Sequence, residues 1–415
     1  MEFRVATAQD TEAVESLWAY CFEPKEDPFF QYYFGHCYEA ENTLVGLQEG
    51  QLLSTVHLRQ YDLNIRGQVL PTSYMVGVAT HPAARRGGIG GQLLQSAMEE
   101  LRRRGQAMTI LMPSKAAFYQ QYGWELYCHQ WVQTMPLEDL RPLTDRSLHF
   151  GLLNHVDQWE LLAPVYEAYT EGLSGYAVRG EKEWRRLLGS FFAEGVHVAL
   201  VRNDQQEVEG YLVYRLGAPE IMVSEMVYTT RRGQKALLNY MYNHRSQGQT
   251  IRWNEGFQDA GFRLHPDGKS GHSTMPFMMA RVVDVKVALE AIGAHSFVAD
   301  IPNAEALLAG ANLSPEAIEH EFTMAVDDPM CQWNQGVYGV TVTYGGQVAV
   351  EKLSDDPNSQ LVDVSLDIGA LSLLLMGAMS AEELAFEERL AATEEAFEVL
   401  DNLYPKQKCY INEWW

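Results

Sequence analysis

The residues best placed to do chemistry lie in the stretch 79–105, ATHPAARRGGIGGQLLQSAMEELRRRG. There Arg85 and Arg86 precede Gly87, Gly88, Ile89, Gly90 and Gly91, and an amphipathic helix comes next. Glycines at a strand-to-helix turn leave several backbone N–H groups bare, so that they can converge on one anion, and the helix dipole adds to their pull. Two arginines at the rim can add charge-assisted donors. The anion that suits this arrangement is a diphosphate.

Three nucleotide-type patterns compete for it. A P-loop needs a lysine after its glycines, and Gly90-Gly91 is followed by Gln92. A dinucleotide fingerprint needs a small residue where Leu93 stands. The third pattern, Arg-x-x-Gly-x-Gly, is met by Arg85, Gly88 and Gly90. The plain alternative is a glycine-rich turn that only caps a helix.

The elements around this loop must position it. Thr7 and Asp10 form a capping box for a helix that runs to about Phe22, after a short apolar stretch from Phe3 to Ala6. TLVGLQ and LLSTVHLRQ, joined at Glu49-Gly50, read as a hairpin, LNIRGQVL as a further pair or its continuation, and TSYMVGVAT as a strand ending at His81-Pro82. The helix after the glycines carries Ile89, Leu93, Ala97 and Leu101 on one face and is closed by Gly105. AMTILM, SKAAFYQQYG and ELYCHQWVQTM then read as strand, helix and strand. Two prolines in PLEDLRPLTDRSL mark a boundary, and the chain beyond it echoes the first unit: VHVALV and VEGYLVYRL across Asn203-Asp204, then IMVSEMVYTT, then RRGQKALLNYMYNH. A third unit from RVVDVKVALEA holds antiparallel strands, the apolar segment LSLLLMGAM, and SAEELAFEERLAATEEAFEVLD as one acidic helix with Ser380 and Glu383 at its cap.

Composition bounds the function. The 415 residues suggest two or three domains, and 47% apolar with 21% charged residues is ordinary for a soluble protein. With 55 acids against 31 Lys+Arg, a formal charge of −24 disfavours nucleic acid and acidic membranes, and it either favours cationic ligands or serves solubility alone. Five scattered cysteines without CxxC spacing predict neither structural zinc nor disulfides, so no metal is expected. The start MEFRVATAQD has no signal-peptide pattern and no run of 18 apolar residues occurs, which leads to the expectation of a cytoplasmic protein.

With that order of elements around Arg85, Gly88 and Gly90, and with a tyrosine in the next short helix, the segment resembles motif A of the GNAT acyl-CoA-dependent N-acetyltransferases. The whole chain resembles the three-domain Eis-type acetyltransferases. That implies an α+β protein: a GNAT domain (1–140), a degenerate GNAT-like domain (141–281), and a sterol-carrier-protein-like α/β domain (282–415). The resemblance implies acetyl-CoA as co-substrate. The backbone of Val76, Gly77, Val78 and Ala79 would meet its pantetheine arm, residues Arg85 to Gly91 would grip its diphosphate, and Ser114 would touch it. Tyr119 matches the family's general acid, which protonates the departing CoA thiolate; a packed core tyrosine is the other reading. YINEWW ends on Trp415, whose α-carboxylate matches the family's base, and a carboxylate with an ordinary pKa of about 3.5 needs burial or a water relay for that work.

For the acceptor, Glu413 and the segment Phe22, Glu23 and Glu26 fall where the family binds its amine, although the family's acid after the phenylalanine falls on Pro24. Met112, Trp124 and His57 could line the pocket or pack the core. Thr230 and Lys235 break the motif in the second unit, so no CoA is expected there. LSLLLMGAM could line a lipid tunnel or form ordinary core. The reading is an acetyl-CoA-dependent N-acetyltransferase acting on aminoglycoside or polyamine-like cationic amines or protein lysine, in a homo-oligomer that the resemblance makes a hexamer. Its rival is a non-catalytic acyl-CoA or lipid binder.

Overall fold

The computed structural model describes residues 1–85, 87–259, 261–264, 271–296 and 303–414. The first half runs β1 (Glu2–Val5), α1 (Thr11–Cys21), α2 (Pro28–His36), β2 (Thr43–Gln48), β3 (Gln51–Ile65), β4 (Gln68–Thr80), α3 (Ile89–Arg103), β5 (Met108–Leu111), α4 (Ala116–Gln120) and β6 (Glu125–Pro136). Asp10 accepts from the Thr7 amide at 2.7 Å, as the capping box requires. Helix α2 was not legible as such. Asp27 caps it by accepting from the Phe29 amide at 2.8 Å, with Pro28 at its first position, where a missing N–H costs nothing.

The second half repeats the plan: β7 (His149–Leu153), α5 (Ala163–Thr170), β8 (Tyr176–Ala177), α6 (Glu181–Ala193), β9 (His197–Arg202), β10 (Val208–Arg215), β11 (Glu220–Tyr228), α7 (Arg231–Tyr242), β12 (Thr250–Gly256) and β13 (His272–Val282). The two halves share one sheet in the order β1-β2-β3-β4-β5-β13-β6-β12-β11-β10-β9-β7, with β8 beside β3. Strand β13, at the end of the second half, lies antiparallel between β5 and β6 of the first. The halves therefore interlock through backbone hydrogen bonds.

The remaining chain forms α8 (Val285–Ile292), α9 (Ala304–Gly310), β14 (Ile318–Asp327), β15 (Gly336–Thr343), β16 (Val348–Ser354), β17 (Val364–Asp367), α10 (Ile368–Met376), α11 (Ala381–Phe386), β18 (Leu390–Ala392) and α12 (Glu394–Leu403), around a second sheet ordered β16-β15-β14-β17-β18. All nine residues of α10 are buried, and the helix packs on β13 and β6, so the apolar segment LSLLLMGAM docks the third unit onto the first sheet. The expected single acidic helix is two helices with a strand between them. Glu388 takes a left-handed φ of 58°, Leu390 pairs with Leu366, and Thr393 starts α12 by capping Ala396. Burial of Leu390 in a sheet outweighs the helix propensity of the glutamates. No helix among the described residues is long and apolar enough to cross a membrane.

Candidate active site

Strands β4 and β5 run parallel, and their pairing covers only Ser73–Met75 against Thr109–Leu111. Beyond it the strands splay, and β4 continues through Val76, Gly77, Val78 and Ala79. Gly77 has φ 59°, and a Cβ there would lie 2.3 Å from the ring of Trp18. The bulge therefore needs glycine twice over, for its backbone and for the indole packed on it.

Below the splay, α3 begins at Gly88, which caps it with φ 77° and has open space where a side chain would be; no side chain caps the helix. Its first amides are therefore free to face an anion, and the residues present fit a diphosphate. Gly90 and Gly91 have a different reason. A Cβ on Gly91 would come within 2.7 Å of the Tyr122 hydroxyl, and one on Gly90 within 3.3 Å of the Phe118 ring. Arg85 lines the same cavity and is steadied by a 3.0 Å bond from its Nε to the Thr80 carbonyl, Gly87 is exposed beside it, and Arg86 lies outside the described residues. The cavity of about 420 Å³ is also lined by Val78, Ala79, Ile89, Ser114, Tyr119 and Phe22. Val76 is buried opposite His57. Burial pushes the Tyr119 phenol above its usual pKa, which keeps it protonated at neutral pH.

A second cavity, of about 440 Å³, opens on the other side of the α1–α2 connection and of the end of β5. Phe22 faces the first cavity and its neighbour Glu23 the second; Ser114 and Met112 divide in the same way. Glu23 is held by the Trp18 indole, which donates to its Oε2 at 2.9 Å. The second half supplies much of the remaining wall: Phe191 and Glu194 from and beside α6, Arg215 from β10, and Met222 and Glu225 from β11. Glu26 is exposed and lines neither cavity. Trp124 is fully buried beneath Arg281, and His57 is buried in an aromatic cluster, its Nδ1 2.7 Å from the Tyr33 hydroxyl and its pKa lowered to about 3 by desolvation.

The C-terminal tail completes the wall. Tyr410 donates its amide to the Ser174 carbonyl at 3.0 Å, Gln130 Nε2 reaches the Ile411 carbonyl at 3.1 Å, and Asn412 Nδ2 reaches the Ser224 carbonyl at 3.0 Å. Glu413 is buried away from the second cavity. Its Oε1 accepts from Arg179 Nε at 2.8 Å, and the same guanidinium binds Glu225 at 2.8 Å. Desolvation raises the Glu413 pKa, and Arg179 opposes the rise. Trp414 and Asn412 line the second cavity, the Trp414 ring 4.5 Å from that of Phe277; Trp415 lies outside the described residues. The tail is legible in the sequence, but Arg179, its buried anchor, is not. A lone arginine in YAVRG carries no signal of its partners, which are 46 and 234 residues away.

The second half has a splay of its own, because β11 and β12 pair only over Glu220–Val223 and Thr250–Trp253. There the tail is bonded to Ser224, the first residue past the pairing. The start of α7 is also occupied: Thr230 Oγ1 accepts from the Gly233 amide at 2.9 Å, and Glu209 accepts from Thr230 at 2.7 Å and pairs with Arg232. A carboxylate there repels phosphate.

Residues 2–127 match the acetyltransferase (GNAT) domain family, residues 175–282 match a second acetyltransferase (GNAT) domain family, and residues 304–412 match the sterol carrier protein domain family. The chain is a three-domain GNAT acyltransferase. Its architecture is that of the Eis-type proteins. This GNAT acyltransferase is 22% identical over 387 residues to an uncharacterized N-acetyltransferase of Streptomyces avermitilis, covering 85% of this chain and 83% of that one. Its fold is similar to that of a probable N-acyltransferase from Enterococcus faecalis, with a TM-score of 0.80 at 22% identity and full coverage of both chains. It is also similar to Eis1 from Mycobacterium abscessus, with a TM-score of 0.71 at 17% identity and full coverage of both. GNAT domains use acetyl-CoA as co-substrate and bind small-molecule acceptors.

Proposed function

We propose that this acyltransferase moves the acetyl group of acetyl-CoA directly onto a cationic amine. The observation that carries the reading is the adjacency of the two cavities: neighbouring residues Phe22 and Glu23 line different cavities, with Tyr119 on the cofactor side and the C-terminal tail on the acceptor side. Acetyl-CoA supplies the activated thioester. The amides at the start of α3, with Arg85, hold its diphosphate, and the unpaired edge of Val76 to Ala79 holds its pantetheine and polarises the thioester carbonyl. Glu23 attracts the ammonium. The α-carboxylate of Trp415 takes the proton that the amine must lose, and Tyr119 gives a proton to the departing thiolate.

The second domain binds no CoA. Its work is to wall the acceptor cavity and fix the tail through Arg179. Aminoglycosides, polyamines and lysine side chains are the acceptors that the family resemblance brings, and the rival reading is a non-catalytic acyl-CoA or lipid binder.

Thiol release from acetyl-CoA, measured on the purified full chain with a panel of amines, tests the reading. Turnover well above the amine-free rate is expected. Tyr119→Phe should lower kcat about 100-fold and leave CoA affinity within about twofold, and residues appended after Trp415 should lower turnover comparably. CoA binding without thiol release from any amine would favour the rival, and full turnover by the extended chain would remove the tail carboxylate from the mechanism.

A further inference from the structure

The acceptor cavity keeps a charge balance that bears on how many ammonium groups a substrate can bring. Three carboxylates line it, those of Glu23, Glu194 and Glu225. Glu194 is matched by Arg215, which also lines the cavity and donates to its carboxylate and its backbone carbonyl, each at 3.1 Å. Glu225 is gripped by both terminal nitrogens of Arg179, at 2.8 and 3.2 Å. Arg179 also binds Glu413, and Arg59, which lines the same small gap as Glu413, brings a second positive charge to that buried group. Glu23 alone has no cation within ion-pair distance among the described residues, and the Trp18 indole fixes its carboxylate in place. Much of the remaining wall is apolar and aromatic: Phe29, Phe191, Trp414, Met112 and Met222.

From this balance we infer that the acceptor is a primary amine with a single ammonium group on an apolar, aromatic-sized body, anchored by Glu23, and that Arg215 excludes polycations by neutralising Glu194. The inference rests on the acetyltransfer reading and departs from the polycationic acceptors that the family resemblance brings. A buried ammonium is stable where a carboxylate answers it, and a second one in this cavity would meet an acid already paired, the uncharged polar groups of Ser190, Ser224 and Asn412, or an apolar and aromatic wall. The rings can also cover the body of an arylalkylamine and the face of its cation. The Trp415 carboxylate, proposed as base, takes the proton of that same ammonium and so does not answer a second. Arg215 adds a repulsive element against further positive charge, which is how a site rejects a competitor that its attractive contacts alone would admit.

The test compares 2-phenylethylamine, spermidine and kanamycin as acceptors for the full chain, reading thiol release from acetyl-CoA. The expected kcat/KM is about 30-fold higher for 2-phenylethylamine than for either polycation. Glu23→Gln should raise the KM for 2-phenylethylamine about tenfold and leave the KM for acetyl-CoA unchanged. Arg215→Gln releases Glu194 as a second unanswered acid and should raise kcat/KM for spermidine relative to 2-phenylethylamine about tenfold. The inference is overturned if spermidine or kanamycin turns over as well as 2-phenylethylamine in the unaltered chain, or if Arg215→Gln leaves their ratio where it was. In either case acetyltransfer itself still stands. Silence from all three amines would remove the acetyltransfer reading and this one with it.

Discussion

A single methyl group at position 77 would meet the indole that also holds Glu23, so one side chain, Trp18, touches both the cofactor strand and the acceptor acid. Gly77→Ala brings a left-handed φ and a contact at 2.3 Å together, and is expected to cost about 2–4 kcal/mol in urea unfolding. It should also weaken CoA binding, because the bulge sets the edge that faces the splay. A variant as stable as the parent would show that the indole moves aside without penalty. The glycine run 87–91 was readable as a loop for an anion, but its members do different work. Gly88 alone needs the left-handed backbone, while Gly90 and Gly91 make room for Phe118 and Tyr122, rings that the linear pattern does not place.

Among the elements, hydrophobic period and caps made β1 to β6, α1, α3 and α4 legible, together with the echo of the same plan after residue 148. Strand β13 and its insertion between β5 and β6 were not legible: the sequence alone assigns no element to residues 272–280, and the strand's partners are more than 100 residues away. Strand β12 carries a testable electrostatic feature. Glu255, near its end, is pushed up to about 7 first by desolvation and then by Asp259, which is itself held by Tyr169 and Tyr228. The Glu255 carboxyl faces Gln133, the Trp253 indole and the Gly261 amide, none of them a cation. A folded pKa above the unfolded value near 4.5 means that this group's contribution to stability is complete below pH 4.5 and is lost as pH rises through 7. The unfolding midpoint should therefore fall from pH 5 to pH 8, and Glu255→Gln should flatten that fall. An identical slope in the variant would place the proton elsewhere.

At the scale of the whole molecule, three units built on two plans produce one site. The first half has the open helix start and the splayed strands. The second has the same splay, but Thr230, Glu209 and the tail fill its phosphate and strand positions, and it supplies walls. The third docks through α10 and through Arg281, whose guanidinium is bonded to Asp328 at 2.8 Å and to the Tyr122 carbonyl at 2.7 Å, two residues after the helix that carries Tyr119. The degenerate motif was visible in the sequence as Thr230 and Lys235, whereas the reason it fails, a buried glutamate from β10, depends on pairing that only the fold supplies. This division of labour leaves one CoA per chain, at the start of α3. A crystal structure of the full chain grown with CoA checks it: the diphosphate is expected against the amides from Gly88 onward with the pantetheine along Val76 to Ala79, and a diphosphate bound instead at Thr230 to Gly233 would overturn it.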